Sequence, residues 1–535
     1  MKAFQDDAAQ TLLVHADYCR QHNLPGVEMK AGIIGSFQLL VDPELVEQVL
    51  TDKSSTSRPT TTSNNNNNNN NNNSNNLYRE GIFYKSALDR RGVGLLTGRG
   101  SLLTDGPDHT RKRRLVVPSL NDKSNLQTFL EIMESVSLEY AQDFTQQIIT
   151  TAKANSTTGS SNALKVNIGE SMSAIAMKIV GLALFSQDVV DGAIYQDIST
   201  CLEHVIYVTR HPLTLPKWIP TRRNRRFRRA LQRLDDLVYS FIAAGQAQAE
   251  AEAERQHSDT TSTKRSKKNL LNMLLAARYE AKENDNDTSK LKLSDKELRD
   301  EIMTLFLAGH ETTAITLCWT LWFLSDPQHA HWQDRIAQEY QAAVGDNIDT
   351  TASDIIKTGY TPALVEDATA LETTRAVLCE ALRLRTPTYA VDREVQQDVD
   401  VTINNGTQTI HWKKKDLLLI SPLVMHMDPS VFPNPETFDP TRFILNRFDD
   451  DKTARAPGQD LWEGPFSRRE YLPFGAGRKR CIGYKFAQWE LLVILGTLLS
   501  QFRVSRPKGV TSVAWEAGVT LRPHRDLELL FEPRE

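Results

Sequence analysis

One stretch constrains this fold more than any other: from Ser294 to Pro327 the chain reads as a single helix too long for a small domain. Ser294-Asp295-Lys296-Glu297 is a capping-box pattern, apolar residues then recur at helical spacing, and Asp326-Pro327 stops the run. About 30 residues make a rod of about 45 Å. Such a rod crosses a whole domain, so the other elements must pack around it, and the fold is predicted to be mainly α. In its middle, Ala308-Gly309-His310-Glu311-Thr312-Thr313 sets a glycine, costing about 1 kcal/mol relative to alanine, beside two β-branched threonines. That weakness predicts a functional return at this turn.

Composition narrows the rest. The 535 residues are 40% hydrophobic and 24% charged, enough for a sizeable core in one domain, 1–535, once two polar segments are set aside. Residues 54–76, with ten consecutive asparagines from Asn64 to Asn73, are read as a disordered surface insertion, because such composition cannot offset its ordering entropy. Residues 247–268 are read as a polar linker insertion between two helices, starting as an exposed extension of the first. A net charge of −4, from 63 basic and 67 acidic residues, speaks against nucleic acid as the main partner. The five cysteines (Cys19, Cys201, Cys318, Cys379 and Cys481) are too scattered for a disulfide framework or a zinc or iron–sulfur site, which points to a reducing compartment. The N-terminal stretch lacks the apolar core of a signal peptide, and no run of about 18 apolar residues occurs, so no transmembrane segment is predicted. The expected location is the cytoplasm or the soluble phase of an organelle, with peripheral membrane contact left open.

Cys481 carries the clearest chemistry. It lies among glycines, follows Arg478-Lys479-Arg480, and opens the apolar-periodic helix YKFAQWELLVILGTLLSQF. A helix N-terminus and nearby cations both favour thiolate over thiol. A thiolate there could be a nucleophile, a redox sensor or an axial metal ligand. A lone cysteine is more often an inert buried residue, and it is the surrounding pattern that overturns that reading.

Phe474, Gly477, Cys481 and Gly483 fill a Phe-x-x-Gly-x-Arg-x-Cys-x-Gly pattern in register, with Lys479 in place of the arginine. The pattern resembles the haem-thiolate signature of the cytochrome P-450 family. Other motifs stand in that family's order. Ala308 to Thr313 is similar to its central-helix segment, where a distorted turn opens over the haem. Glu380-Ala381-Leu382-Arg383, with Arg442 in Phe438-Asp439-Pro440-Thr441-Arg442-Phe443, resembles a Glu-Arg-Arg network and reads as support for the cysteine loop. Residues 26–50 look like the family's first strands and helix.

The resemblance implies a cytochrome P-450 fold: a large helical domain and a smaller β-rich region, with haem b between the long central helix and the cysteine loop. It makes Cys481 the iron ligand and Ala308 a residue over the haem, and assigns Lys479, His109, Arg113 and Arg393 to the haem propionates. Lysine acts there as a point charge without the bidentate fork of arginine. Thr312 would position water beside bound dioxygen and Glu311 would link that water to a proton supply. The implied reaction inserts one atom of O2 into a small apolar, lipid-like substrate, as in the soluble bacterial and fatty-acid or terpenoid hydroxylase branch. Two alternatives stay open: a haem-thiolate isomerase or lyase acting on peroxides, and a non-catalytic haem-binding protein. No Gly-x-Gly-x-x-Gly fingerprint or ferredoxin-type cysteine cluster occurs, so electrons from NAD(P)H should arrive through a separate ferredoxin, flavodoxin or flavin reductase. Arg478, Lys479, Arg480 and Lys485, with Arg468, Arg469, Arg111, Lys112 and Arg114, are the expected docking cations.

Overall fold

The computed structural model describes residues 7–30, 36–52, 82–121, 123–154, 163–189, 192–211, 214–216, 218–258, 270–279, 293–344, 359–367, 369–444, 462, 464, 466, 467 and 469–534. The asparagine-rich segment 54–76 lies outside them. Of the second polar segment, 247–258 is the end of a helix and 259–268 lies outside the described residues.

In chain order the main helices are α1 (Ala8–Gln21), α2 (Pro43–Thr51), α3 (Gly106–Asn121), α4 (Lys123–Ala154), α5 (Ile168–Phe185), α6 (Gly192–Arg210), α7 (Arg222–Ser258), α8 (Asp295–Leu324), α9 (Ala330–Ala343), α10 (Glu372–Leu384) and α11 (Tyr484–Gln501). Strands β1 (Gly26–Lys30), β2 (Ser36–Leu40), β3 (Phe83–Tyr84), β4 (Leu164–Asn167), β5 (Val391–Val395), β6 (Val399–Ile403), β7 (Gln408–Trp412), β8 (Leu417–Ile420), β9 (Phe502–Ser505), β10 (Trp515–Ala517), β11 (Leu521–Pro523) and β12 (Glu528–Pro533) form the β-rich part. The largest sheet has the order β1-β2-β8-β5-β3, with β2 parallel to β8; the expectation that the two ends of the chain build the β-rich region together is corrected here, because the last strand, β12, pairs with β4 and β9 in a separate sheet.

The central rod is α8. Its start is a capping box: the Ser294 N–H donates to Glu297 Oε2 at 2.9 Å and the Glu297 N–H returns to Ser294 Oγ. Apolar residues all round it, among them Ile302, Phe306, Leu317 and Leu321, are buried, as a helix inside a large core must be. It packs along α5. A Cβ on Gly309 would stand 3.0 Å from Val180 Cγ2 of α5, so close approach of the two helices is one return on that glycine.

The distorted turn expected at Ala308 to Thr313 is absent: α8 is continuous from Asp295 to Leu324. The Thr312, Thr313 and Thr316 hydroxyls donate back to the carbonyls of Ala308, Gly309 and Thr312, at 2.8, 3.1 and 2.8 Å, within an unbroken helix. Among the described residues, α5 is long and apolar enough to span a membrane by length and composition, but 67% of it is buried in protein, as in a core helix. Only Glu170 and Lys178 charge it.

Candidate functional site

The cysteine loop is held by contacts from distant parts of the chain. The Cys481 N–H donates to Phe474 O at 2.9 Å, closing the loop on itself. Gly477 has φ +66°, and a Cβ there would fall 2.0 Å from Leu50 O, so only glycine lets the loop sit against the end of α2. Arg113 of α3 donates from Nη1 to Arg480 O at 2.7 Å. Beneath the loop, Tyr471 Oη donates to Cys379 O of α10 at 2.8 Å, and the Leu472 N–H donates to His426 Nε2 at 2.9 Å.

The Glu-Arg-Arg network forms as read. Arg383 donates to both oxygens of Glu380 at 2.7 and 2.8 Å, with both side chains 0% exposed. Arg442 stands 3.4 Å from Glu380 Oε1, and the Asp439 N–H donates to the same oxygen at 2.9 Å. Arg383 also donates to the carbonyls of His426 and Pro435. The helix that anchors Tyr471 is thereby locked to the irregular segment preceding the loop.

Among the described residues Cys481 is the one exposed cysteine, while Cys19, Cys201, Cys318 and Cys379 are buried. Burial pushes the thiols of Cys201 and Cys318 up to about 12, which leaves them inert. Cys481 departs from the sequence expectation in one respect. Desolvation by the surrounding protein raises its thiol too, and the Gly483 N–H, Arg113 and Arg480 oppose this without reversing it. A bound metal would supply what they do not, because coordination deprotonates a thiol outright.

The residues present fit a haem. On the cysteine side, a Cβ built on Gly483 or Gly475 meets nothing within 4 Å among the described residues, so a flat group can approach the backbone. Opposite, α8 exposes Ala308 and half-exposes Thr312 one turn later, although residues 301–307 are buried. At the carboxylate end, Arg393, His109, Lys479 and Arg478 line one small cavity with Asp52 and Asp105. Arg393 is 4% exposed and, among the described residues, has no ion pair; its Nη1 donates to Asp392 O at 2.7 Å. A buried guanidinium in that position wants an anion.

The other expected propionate partners differ from one another. Lys479 Nζ lies 3.0 Å from Asp105 Oδ1 and also donates to Thr104 O, so this lysine already has a protein carboxylate. Burial first, then Lys479 and Arg113, lower His109 to about 4, so it is a neutral donor or acceptor at pH 7. Arg113 faces the cysteine loop, as described above.

Two acids matter here, one on α8 and one packed against it. Glu311 is half-buried; Thr520 donates to its Oε1 at 2.9 Å, and burial raises its pKa against the pull of that bond, Arg522 and Arg525. It lines both a cavity of about 60 Å³ and a neighbouring one of about 220 Å³ that includes Ile206 and Arg210. Glu490 of α11 was not singled out by sequence. It is 0% exposed, Oε1 has no hydrogen-bond partner among the described residues, and burial raises its pKa to about 8. Thr313 Oγ1 lies 2.9 Å from Glu490 Oε2 and 3.1 Å from Gly309 O. One hydroxyl proton serves both contacts only if Glu490 is protonated and donates to Thr313. The available signal was a single acid inside the apolar run of α11.

The docking cations also divide. Lys112 is 1% exposed, with Nζ on Arg99 O and 3.2 Å from Asp108, so it belongs to the interior and not to a docking face. Arg111 is taken by Asp108 and Glu297, and Arg469 by Glu47. Arg114 and Arg478 are exposed and Lys485 half-exposed; Arg480 stacks on Tyr484 at 3.9 Å; Arg468 lies outside the described residues.

Comparison with known proteins gives consistent matches. The profile of the cytochrome P-450 family covers residues 79–529. Cyclooctatin synthase of Streptomyces melanosporofaciens is 28% identical over 442 residues, 82% of this chain and 78% of its own length. Cyclooctat-9-en-7-ol 5-monooxygenase of the same organism is 28% identical over 446 residues, 81% of this chain and 80% of its own. The chloroplastic protein LUTEIN DEFICIENT 5 of Arabidopsis thaliana is 24% identical over 510 residues, 93% and 70% of the two chains.

Proposed function

This chain belongs to the cytochrome P-450 family and is a haem-thiolate monooxygenase, and we propose that Cys481 is the axial ligand of its haem iron. The observation that carries the assignment is the single exposed thiol, in a loop pinned to α2 and α3 at the start of α11. Cys481→Ala should retain the fold and lose the thiolate-type carbon monoxide difference spectrum of the reduced protein. A variant that kept that spectrum would have another ligand, and the assignment would fall.

Haem b, when bound, supplies activation of dioxygen with two electrons, one oxygen atom entering the substrate and the other leaving as water. The protein positions and protonates. Arg393 and His109 would hold propionates, with Lys479 tied to Asp105 and setting the charge beside them. Ala308 and Thr312 would form the wall facing the haem. The Thr312 hydroxyl, held at 2.8 Å from Ala308 O, would turn outward to orient water, and Glu311 would bring protons from the two cavities it lines. Glu490, holding its proton below about pH 8, keeps the neighbouring Thr313 hydroxyl fixed.

The substrate we propose is small, apolar and lipid-like. Leu202, Ile206, Ala314, Ile315 and Val519 on the cavity walls support this, as does the relative named for cyclooctat-9-en-7-ol. Electrons would come from NAD(P)H through a separate acidic carrier docking near Arg478, Lys485 and Arg114. Arg478→Glu with Lys485→Glu should slow reduction by such a carrier and flatten its dependence on ionic strength. Unchanged kinetics would place the donor elsewhere.

A further inference from the structure

We propose that Asp392 takes up a proton from solvent when haem is loaded, so that the charge of Arg393 is free to meet a propionate; this rests on Arg393 as a propionate partner, as read above. Asp392 precedes Arg393 in β5 and is half-buried. Ser86 Oγ donates to its Oδ2, and the Ser86 N–H stands 3.5 Å from its Oδ1. The same hydroxyl oxygen accepts the Asp89 N–H at 3.4 Å, which sets the short helix Ala87–Arg91, and with it the Asp89 carboxyl, against Asp392. Among the described residues one ammonium serves these two acids: Lys85 Nζ is 2.8 Å from Asp89 Oδ2, and Asp392 has no ion pair of its own.

Most charges around Arg393 are already matched. Lys479 and Arg90 pair with Asp105, and Lys85 with Asp89. Asp52 receives the Ile82 N–H on both oxygens, at 3.2 and 3.1 Å, and stands in the field of Arg478 as well as Arg393. His109 is neutral at pH 7, and Arg113 donates to Arg480 O. What remains to Asp392 is chiefly the charge of Arg393 itself. A propionate makes the same claim on that guanidinium, which is 4% exposed. Two anions beside one buried cation repel each other, and a proton on one of them relieves the repulsion. Asp392 is the one disposed to accept it: burial, then the Asp89 carboxylate, raise its pKa to about 6, whereas Lys85 outweighs burial and lowers that of Asp89. At pH 5 Asp392 is protonated with or without haem, and loading moves no proton. Above about pH 6 the haem-free protein has to take one up, so haem is held less tightly as pH rises, by up to about tenfold per pH unit.

The test is the rate of haem transfer from the loaded protein to excess apomyoglobin, measured from about pH 5 to about pH 8 in the parent and in Asp392→Asn, whose side chain is neutral throughout. The ratio of the two rates cancels every pH dependence they share, protonation of the thiolate included. It should be constant below about pH 6 and climb about tenfold by about pH 8. The infrared difference between loaded parent and loaded variant at about pH 7 should contain the carbonyl stretch of a protonated carboxylic acid. Asp89→Asn gives a second reading that does not alter Asp392: with its neighbour neutral and Lys85 released, Asp392 ionises more readily, and the rise in haem loss should begin at lower pH. Arg393→Lys, which keeps the charge and loses the fork, should lose haem faster than the parent at every pH. A ratio that does not change with pH, or the absence of the acid band, overturns the proposal and leaves the propionate reading standing if Arg393→Lys still loses haem faster. An Arg393→Lys variant that holds haem like the parent overturns both.

Discussion

Glu380 and Glu490 are both fully buried carboxyl groups on long helices near the cysteine loop, and the protein surrounds them in opposite ways. Glu380 has two arginines and a backbone N–H on its oxygens; among the described residues Glu490 has one threonine hydroxyl and an oxygen without a partner. In the first case burial raises the pKa, while two arginines and a backbone N–H pull against it and fix the group in place. In the second only the Thr313 hydroxyl opposes burial, and the group keeps its proton to about pH 8. A saturated carboxylate holds parts together, whereas an undersaturated one can exchange a proton.

Breaking the saturated region should have the largest effect on stability. Glu380→Ala leaves Arg383 and Arg442 buried without their carboxylate, an expected loss of about 3–5 kcal/mol in denaturant unfolding together with poor haem retention. A small loss would mean that the carbonyls around Arg383 suffice.

The undersaturated region should show itself through pH. A folded pKa of about 8 against an ordinary 4.5 means that Glu490 adds no penalty at pH 4, where both states are protonated. Stability then falls as pH rises from 4.5 towards 8, because the unfolded state ionises first. Glu490→Gln should flatten that slope, read from unfolding midpoints across the range. An identical slope in the variant would show that Glu490 is ionised in the fold.

Thr313→Val removes a hydroxyl facing Glu490 and should cost about 1–2 kcal/mol in denaturant unfolding. Thr312→Ala should change stability least, by less than about 1 kcal/mol, since its hydroxyl donates only within its own helix. Product formed per electron should nevertheless fall at least about tenfold. If Thr313→Val uncouples turnover and Thr312→Ala does not, the roles of the two threonines are reversed.

What was readable from sequence follows the same division. Cys481, its glycines, the Glu380–Arg383 pair and the rod through Ala308 to Thr313 are local patterns, and each was visible as residue type at fixed spacing. Features that depend on distant partners were not. Lys112 and Arg114 look alike in a basic run, yet one is buried against Arg99 O and the other is exposed. Lys479 was assigned a propionate because its partner Asp105 lies in another motif. Glu490 passed as one acid in an apolar helix, because its neighbour Thr313 stands far upstream. The central turn was expected to be distorted, whereas its threonine hydroxyls bond to carbonyls of an intact helix.

The closest contacts of the cysteine loop carry a consequence for how the protein is made. Leu50 O against Gly477, Thr104 O on Lys479 and Arg113 on Arg480 O join the earliest part of the chain to nearly the last. During synthesis the first partners must wait until most of the polypeptide has emerged before the loop exists to meet them. Contacts so remote in sequence form late in folding. With Cys481 as the proposed ligand, cofactor capture waits for these late contacts, and a product that terminates before Cys481 would have most of the helical scaffold but lack that thiol.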